Sequence, residues 1–409
     1  MSDIDVVVIG AGPAGLVAAA AAARAGRCTV LLEKNDRPGR KLLLTGNGRC
    51  NLVDPARPAL DALDAYGRAG RFLRDALAGF DFAAFLAGLD VTVERDATDG
   101  RCTVSGGARR MCDALVCAAE AAGVQVVTGT KVTGLAASAS GGFDVSVHGR
   151  GVTHASRVVV ATGGFTWRET GSTGDAYAWA EALGHAIDAP RGALGALATE
   201  PHFTALAGSS VPDAGIVLRI DGRRAGRARG AVLFTHRGVS GPAIMDLSMA
   251  LAAARSDADA EIDLDLVPEV ERTALERWIA GRRRRRSDHL FRDARIGRGL
   301  SGRLVRDLLV RADIAPARDL SQVPRSKLRA LAAALKATHL AVTGFEDPDA
   351  CIVTLGGVAT RDVDAKTMQS QLVGGLFFAG EILSPAGLCG GYNLLACFAT
   401  GTLAGDSVR

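Results

Sequence analysis

Alternating apolar strand and helix patterns mark the first part of the chain. An apolar run over residues 5–9 predicts a strand, residues 15–25 predict an Ala-rich helix, and residues 28–32 predict a second strand. This order is a βαβ unit, which is typical of a parallel sheet. A second alternation of helix and strand follows. An apolar period of 3.6 residues over 111–122 predicts a helix, and strand patterns follow at 124–127, 132–135, 143–147 and 158–161.

The pattern changes near residue 190 and again at Pro268. Short strand-like stretches separated by Gly and Pro indicate a mainly β segment, at 216–220, 231–234 and 262–266. Beyond Pro268, amphipathic and Arg-rich stretches predict helices at 269–286, 302–311 and 326–340, before a strand at 351–355. We therefore predict an α/β domain over 1–189 and 345–409, an inserted β domain over 190–267 and 335–344, and a helical domain over 268–334.

A glycine motif lies where the first strand meets the first helix. Gly10, Gly12 and Gly15 have the spacing Gly-x-Gly-x-x-Gly, and Glu33 ends the next strand. Gly10 permits the tight turn, Gly12 lets backbone approach a pyrophosphate at the helix N-terminus, and Gly15 allows close helix packing. Glu33 can accept hydrogen bonds from ribose hydroxyls, and its charge disfavours a 2′-phosphate. The motif predicts a dinucleotide site.

A second stretch has the same glycine spacing but a different context. Gly297, Gly299 and Gly302 follow an Arg-rich polar segment instead of an apolar strand, and no acidic residue closes a βαβ unit behind them. We interpret this stretch as a turn. A nicotinamide donor would then have to bind without a fingerprint of its own.

Composition narrows the class of protein. The chain has 409 residues, 48% hydrophobic and 22% charged, as in a globular protein of two or three domains. A net charge of +4 is too small to argue for nucleic acid. The eight cysteines contain no CxxC, so we expect no metal site and reduced thiols. Glycines interrupt the uncharged run over 6–23 and no basic segment precedes it, so we predict a cytoplasmic protein without a membrane span.

Two further glycine clusters follow predicted strands. Thr162-Gly163-Gly164 ends the strand at 158–161, and Gly380-Glu381 ends a strand near the C-terminus. Both resemble secondary FAD motifs of two-dinucleotide-type flavoproteins. The resemblance implies that Gly380 and Glu381 lie near the ribityl chain and pyrophosphate, and that a helix beginning at Gly391-Tyr392-Asn393 points at the isoalloxazine. The positive end of that helix would favour the anionic reduced flavin.

Three longer segments extend the resemblance over nearly the whole chain. They are Gly39-Arg-Lys-Leu-Leu-Leu-Thr-Gly-Asn-Gly-Arg-Cys-Asn51, Gly171-Ser-Thr-Gly-Asp175 and Phe234-Thr-His-Arg-Gly-Val-Ser-Gly-Pro242. They resemble signatures of the YhiN/BaiN-type flavoproteins. That family implies FAD and an α/β fold, in which a Rossmann-like FAD-binding domain of the two-dinucleotide type is interrupted by an inserted mainly β domain and a small helical domain. Its members include proposed steroid-type C=C reductases and an aminoacetone oxidase, so membership leaves the substrate open.

The cofactor contacts implied by the fingerprint and the resemblance come from both ends of the chain. They are Gly10, Gly12, Ala14, Gly15, Glu33, Lys34, Arg40, Lys41, Gly46, Asn47, Val132, Ala161, Thr162, Gly163, Asp175, Gly380, Glu381, Gly391, Tyr392, Asn393 and Leu394. The chain also departs from the family pattern. Ser384 follows Leu383 where the family usually has Leu-Asp, and Cys389 stands where Thr is common. We therefore expect an altered substrate side of the flavin.

Catalytic candidates are fewer, and each has a structural alternative. Imidazole as a chemical group titrates near neutral pH, and His236 lies in a polar, glycine-bounded turn, so it is an acid–base candidate or a structural hydrogen-bonding group. The Tyr392 hydroxyl is the next candidate. Arg49 could hold an anionic substrate or stabilise flavin charge, or it could form a structural ion pair. Cys50 and Cys389 could be a redox pair near the ring or two free thiols.

Five consecutive arginines, residues 282–286, could bind nucleic acid or an acidic partner. The segment lacks an interleaved aromatic platform and has acidic neighbours, which favours a solvated helical face or a domain contact. We therefore expect a small-molecule substrate as the partner, and neither nucleic acid nor a membrane. The residues do not indicate an oligomeric state.

Together these observations predict an FAD-dependent oxidoreductase that transfers hydride between flavin N5 and a small organic substrate. The preferred reaction is reduction of an activated C=C bond, with NADH or NADPH as a transient electron donor. The alternative within the enzyme class is an amine or alcohol oxidase that uses O2. A third alternative comes from a different class of function. It is a flavoprotein that binds RNA or a protein through its Arg-rich helical domain.

Overall fold

The computed structural model describes residues 4–96, 100–291 and 295–408. The chain forms two compact units, Met1–Gly192 with Ile352–Arg409 and Ala193–Cys351. The first unit therefore uses both ends of the chain, and the second unit is inserted between them.

Strands and helices alternate along the first unit. Its strands are β1 (Val6–Ile9), β2 (Thr29–Leu32), β3 (Asn51–Leu52), β4 (Val93–Arg95), β5 (Cys102–Val104), β6 (Gln125–Val127), β7 (Val132–Ala137), β8 (Phe143–Val147), β9 (Gly151–Ala155), β10 (Arg157–Val160), β11 (Ile187–Ala193), β18 (Val353–Val358) and β19 (Leu376–Phe378). Its helices are α1 (Pro13–Arg24), α2 (Gly70–Ala78), α3 (Phe82–Gly88), α4 (Gly107–Ala121), α5 (Asp175–Ala182) and α10 (Tyr392–Ser407).

A five-stranded parallel sheet forms the centre of this unit, in the order β19-β10-β1-β2-β6. All four residues of β1 are apolar and buried, because a central parallel strand is covered on both faces. Helix α10 packs closely on α1 at two glycines. A Cβ atom on Gly401 would lie 2.5 Å from the carbonyl oxygen of Ala14, and one on Gly405 would lie 2.3 Å from that of Ala18. The predicted Rossmann-type fold is confirmed.

Smaller sheets surround the central one. Strands β3, β5 and β4 form an antiparallel sheet, β7, β8 and β9 form another, and β11 pairs with β18. A 3₁₀ segment, Ala59–Ala69 with a break at Gly67, precedes α2. Strand β3 lies close against the start of α10. A Cβ on Gly391 would be only 2.5 Å from the backbone of Leu52.

The second unit is a closed barrel with helices packed on it. Its strands are β12 (Leu197–Glu200), β13 (Ser210–Ile220), β14 (Arg223–Phe234), β15 (Gly238–Ser240), β16 (Ala260–Asp265) and β17 (Thr338–Phe345). Strand β12 pairs with both β15 and β17, which closes the ring. The helices are α6 (Pro242–Ala253), α7 (Arg272–Ala280), α8 (Gly302–Arg311) and α9 (Arg325–Lys336). Barrel and helix side chains share one hydrophobic core, so the segment predicted as a separate helical domain belongs to the same unit as the barrel.

Two predicted helices are shorter than expected. The helix predicted over 269–286 ends at Ala280, followed by Gly281, so the arginine run lies in irregular structure that ends in a bridge from Arg286 to Asp319, and not on a helical face. The helix predicted over 326–340 ends at Lys336, because Ala337 is extended (φ −153°, ψ 78°) and Thr338 begins β17. The apolar positions of α9 continue directly into the alternating apolar positions of β17. The sequence pattern alone therefore does not mark where the helix ends and the strand begins.

The second glycine-rich stretch forms a turn before α8, with positive φ at Gly297 and Gly299. Within residues 4–96, 100–291 and 295–408, no helix combines the length and the apolar character needed to cross a bilayer.

Candidate functional site

A cleft of about 890 Å³ lies at the carboxyl ends of β1, β2 and β10. The residues that line it all belong to the first unit. In parallel α/β sheets this edge is where ligands bind, because the loops that leave the strands converge there.

The turn between β1 and α1 forms one wall of the cleft and requires glycine at two positions. Gly10 has φ +100°, and a Cβ there would lie 2.6 Å from the carbonyl oxygen of Ala161. A Cβ on Gly15 would overlap the carbonyl oxygen of Gly10 at 1.8 Å. Gly12, the N-cap of α1, has open space where its Cβ would be. The first-turn N–H groups of α1 therefore face space that an anion can occupy.

Glu33 is buried at the end of β2 and holds this turn in place. Its Oε2 accepts a hydrogen bond from the Ala11 N–H (2.8 Å). Its Oε1 accepts from the backbone N–H (2.8 Å) and the side-chain amide (2.6 Å) of Asn35. A carboxylate has about four acceptor positions, so one on Oε2 is left for a ligand hydroxyl.

A second polar group lies across the cleft, formed by Lys34, Thr173 and Asp175. Lys34 Nζ donates to Asp175 Oδ2 and to Thr173 Oγ1, both at 2.6 Å. Burial raises the pKa of the Asp175 carboxyl, but hydrogen bonds from Lys34 and Thr173 outweigh burial and hold that pKa below its usual value. Asp175 is therefore ionised at neutral pH, and it fixes the N-terminus of α5 against the loop after β2.

A second ion pair joins the two ends of the chain. Lys41 Nζ donates to both carboxylate oxygens of Glu381 at 2.8 Å and to Thr166 Oγ1 at 3.0 Å. Glu381 Oε1 also accepts from the backbone N–H of Thr354 (2.8 Å). Both side chains are mostly buried, with 23% and 18% of their surface exposed. The pair makes this end of the cleft polar and nearly neutral.

Two hydroxyls in the cleft lack partners. Thr162 Oγ1 and Ser172 Oγ are buried and have no hydrogen-bond partner among the described residues. Buried hydroxyls without partners are uncommon, and a ligand that fills the cleft would satisfy them. With the open N-terminus of α1 and the free acceptor position on Glu33, these atoms fit a dinucleotide.

The model of one family, described as the HI0933-like protein Rossmann domain, matches residues 4–407. The chain belongs to the HI0933-like family. This is the YhiN/BaiN-type group that the motifs indicate, so the predicted membership and the class of FAD-dependent oxidoreductase are confirmed.

Relatives with assigned functions match nearly end to end. A 3-dehydro-bile acid delta(4,6)-reductase of Clostridium scindens is 31% identical, over 97% of this chain and 97% of the relative. A ribosomal RNA dihydrouridine synthase of Escherichia coli is 30% identical, over 96% of this chain and 95% of the relative. Among solved structures, a 3-ketosteroid delta1-dehydrogenase from Sterolibacterium denitrificans has a TM-score of 0.54 at 14% identity, and it covers 100% of this chain and 99% of that one. That likeness shows the fold.

Thirteen of the residues predicted to bind cofactor in this HI0933-like chain line the cleft. They are Gly10, Gly12, Ala14, Glu33, Lys34, Arg40, Lys41, Val132, Ala161, Thr162, Gly163, Asp175 and Glu381. The cleft is also lined by five residues that were not among the predicted cofactor contacts, Asn35, Thr130, Ser172, Thr173 and Cys397. The motif at 171–175 could have indicated Ser172 and Thr173. Asn35, Thr130 and Cys397 carry no motif signal and are brought there by the fold. The cofactor roles of all these residues stay predictions.

The other predicted cofactor residues lie outside the cleft lining. Gly15 packs beneath the first turn, and Gly380 meets Ala14, with a Cβ there 2.6 Å from the Ala14 Cβ. Gly46, Asn47, Gly391, Asn393 and Leu394 belong to the loop before β3 and to the start of α10.

The start of α10 is held rigidly. Asn393 exchanges two hydrogen bonds of 2.8 Å with the backbone of Gly387, and Tyr66 Oη donates to the Tyr392 carbonyl at 2.6 Å. The Tyr66 and Tyr392 rings meet edge to face with centroids 6.2 Å apart. Asn393 therefore acts in the described structure as a clamp on the preceding loop.

The catalytic candidates are spread over both units. His236 is exposed in the β14–β15 turn of the second unit, which is pinned by Thr235 through a 2.9 Å hydrogen bond from the Gly238 N–H. Arg49 is exposed, and its Nε donates to the Gly46 carbonyl at 3.2 Å. Burial raises the pKa of the Cys50 thiol to about 12, so Cys50 is a poor thiolate at neutral pH. Cys389 is partly buried and is not part of a disulfide. The proposed roles of His236, Tyr392 and Arg49 stay predictions.

The arginine run makes intramolecular contacts. Arg282 stacks on the Trp278 ring, 3.7 Å from its centroid, and Arg283 donates to the Ser321 carbonyl at 2.5 Å. Arg286 pairs with Asp288 at 3.2 Å. These contacts give at least three of the five arginines a structural role.

Proposed function

We propose that this protein is an FAD-dependent reductase of a carbon–carbon double bond that is conjugated to a carbonyl group. The observation that carries the proposal is the cleft, whose glycine turn, Glu33 acceptor and unpartnered hydroxyls suit a dinucleotide. The names of the two relatives at 30–31% identity support the choice of reaction. A 3-dehydro bile acid with a Δ4 bond and a uracil ring both contain a C=C bond conjugated to C=O.

The chain's own residues would bind and orient the cofactor. The N–H groups at the start of α1 suit the pyrophosphate, and the free acceptor position of Glu33 suits a ribose hydroxyl. Thr162 and Ser172 would donate or accept hydrogen bonds that they lack without a ligand. Bound FAD supplies hydride transfer at flavin N5.

We propose a nicotinamide, NADH or NADPH, as the reductant. The net reaction then oxidises the nicotinamide, and the C=C bond gains a hydride equivalent at the carbon β to the carbonyl and a proton at the α carbon. The second glycine stretch lies in a turn before α8, so the donor would bind without a second fingerprint. We further propose a small-molecule substrate and a cytoplasmic location, where both nicotinamides are available.

Steady-state assays with air excluded test this proposal. NADH or NADPH should be consumed only when a conjugated enone such as a 3-oxo-4-ene steroid, or a uracil compound, is added. The alternative oxidase predicts the opposite pattern, in which O2 is consumed with an amine or alcohol and no nicotinamide is needed. Turnover of amines or alcohols with O2, together with inactivity toward every enone and uracil offered, would contradict the reductase function and support the oxidase function.

A further inference from the structure

A second cavity, of about 830 Å³, lies in the first unit. It is bounded by the β3-β5-β4 sheet, the 3₁₀ segment Ala59–Ala69 and the first turns of α10. Three arginines and two aspartates line it, together with the ring of Tyr392: Arg57, Arg95, Arg101, Asp54 and Asp61. We call it the arginine cavity. The nucleotide cleft described above uses none of these residues.

The arginine cavity adjoins the nucleotide cleft along two continuous pieces of chain. The segment from Gly39 to Asp54 lines the cleft at its start and the arginine cavity at its end. Helix α10 contributes Tyr392 to the arginine cavity and Cys397 to the cleft. Five helical residues correspond to a rise of about 7.5 Å, so the two sites lie within the length of one small organic molecule.

The charges in the cavity leave a surplus of one positive charge. Arg95 forms an ion pair with Asp54 and donates from Nη1 to the Gly100 carbonyl at 3.2 Å. Asp54 also accepts from the Ala56 N–H at 3.1 Å, so its carboxylate is already well compensated. Arg57 lies at the exposed rim, where a turn with a 3.1 Å hydrogen bond from its N–H to the Asp54 carbonyl sets its position.

The remaining walls are largely apolar, with Leu52, Val53, Ala59, Ala62 and Leu395 among them. Apolar walls with a guanidinium at the rim suit an organic anion, because arginine matches a carboxylate or a phosphate with two parallel hydrogen bonds. A fully polar ligand would gain little from the apolar walls.

We propose that the arginine cavity is a substrate subsite that binds the oxyanion of the substrate, a carboxylate or a phosphate, with Arg57 as the residue that determines this specificity. The proposal rests on the proposed function for the neighbouring reaction. The reducible double bond would belong to the part of the substrate on the Tyr392 side, and the anionic group would lie toward Arg57. The substrate class is then an enone or uracil that carries a negative charge.

Two matched pairs of compounds test the subsite. A 3-oxo-4-ene steroid acid is compared with its methyl ester, and uridine 5′-monophosphate with uridine. The wild type should prefer the charged member of one pair through KM, by about 10-fold or more, since a hydrogen bond to a charged group has that effect. The pair that shows the preference tells whether the oxyanion is a carboxylate or a phosphate.

Arg57→Gln should remove that preference by raising KM for the charged member, and Arg57→Lys should retain part of it. Arg71→Gln is the matched control, because Arg71 is exposed on α2 and does not line the cavity. Equal KM for both members in the wild type, or a preference that persists in Arg57→Gln, would overturn the subsite.

If the wild type reduces no member of either pair, the proposed function fails and the subsite is tested by binding alone. Titration calorimetry of the FAD-loaded protein with inorganic phosphate and with the steroid acid then serves as the readout. Binding that Arg57→Gln weakens about 10-fold and Arg71→Gln leaves unchanged supports the subsite. Binding that is equal in all three proteins, or absent from the wild type, overturns it.

Discussion

At the scale of residues, Glu33 links the glycine turn to the ligand position. It fixes Ala11 and Asn35 and keeps one acceptor position free. Glu33→Ala should weaken FAD binding by about 10-fold or more, since each lost hydrogen bond to a buried partner costs about 1–3 kcal/mol. The dissociation constant of FAD for the apoprotein, from flavin fluorescence, measures this.

The control for this variant is Glu181→Ala, because Glu181 is exposed on α5 and does not line the cleft. It removes the same charge. Equal FAD affinity in both variants would show that Glu33 does not contact the cofactor.

Asp175 makes stability depend on pH. Its pKa in the folded protein is below the usual value, so the Lys34 pair stabilises the fold at pH values above the ordinary Asp pKa of about 3.9. That contribution is lost as the pH falls through the lower, folded pKa. Asp175→Asn should therefore lower the free energy of unfolding by about 1 kcal/mol at pH 7, and by progressively less as the pH falls below about 3.9. Urea denaturation of both proteins across this range provides the measurement, and a pH-independent difference would contradict it.

His236 remains the acid–base candidate, and it is exposed in the turn between β14 and β15. If its imidazole donates the proton that the α carbon gains, His236→Ala should lower turnover by about 10²-fold and remove the limb of the pH–rate profile near neutrality. His148→Ala, another exposed histidine, serves as the control. Full activity in His236→Ala would contradict this role of the imidazole. The Tyr392 hydroxyl would then be the candidate proton donor, and Tyr392→Phe would test it.

The residues that motifs predict and those they miss differ for a physical reason. Gly10, Gly12 and Glu33 fulfil requirements of local geometry, which leave a short pattern in the sequence. Asn35 and Cys397 line the same cleft only because distant segments meet there. Lys41 and Glu381 are 340 positions apart in the sequence. No local sequence pattern indicates that two residues so distant form an ion pair.

At the scale of elements, the central strands of the parallel sheet were predictable because β1 and β2 are buried throughout and, apart from Thr29, apolar. The boundary between α9 and β17 was not, because its apolar residues satisfy a helical and a strand period alike. The closure of the barrel through β12 and β17 depends on pairing between residues that are 141 to 148 positions apart, which a single sequence does not show.

The close contact between α1 and α10 requires glycine, which has no side chain, at Gly401 and Gly405 of α10. Gly401→Ala would bring a methyl group to 2.5 Å from the Ala14 carbonyl oxygen, so the two helices must move apart. We expect a loss of about 1–3 kcal/mol in the free energy of unfolding. Gly88→Ala in α3 adds the same group where no atom lies within 4 Å, and it should be neutral or slightly stabilising. Thermal or urea denaturation compares them, and equal stability of the two variants would contradict the packing argument.

At the scale of the whole molecule, the two ends of the chain build the cleft and the arginine cavity, and the insertion carries His236. The first unit alone supplies every residue that lines the dinucleotide site. Family membership and the cleft together account for an FAD-dependent oxidoreductase, and the substrate is the part that a fold shared by many flavoenzymes does not specify.

The measurement that tests the central claim most directly is a single turnover with oxygen excluded. The FAD-loaded protein is reduced, freed of excess reductant, and mixed with a 3-oxo-4-ene steroid acid or with a uracil nucleotide. The account predicts that the flavin absorbance returns to that of the oxidised form and that mass spectrometry finds a product with two added hydrogen atoms, in an amount equal to the flavin. A flavin that stays reduced with every conjugated C=C compound, and is reoxidised only when O2 is admitted, would contradict it.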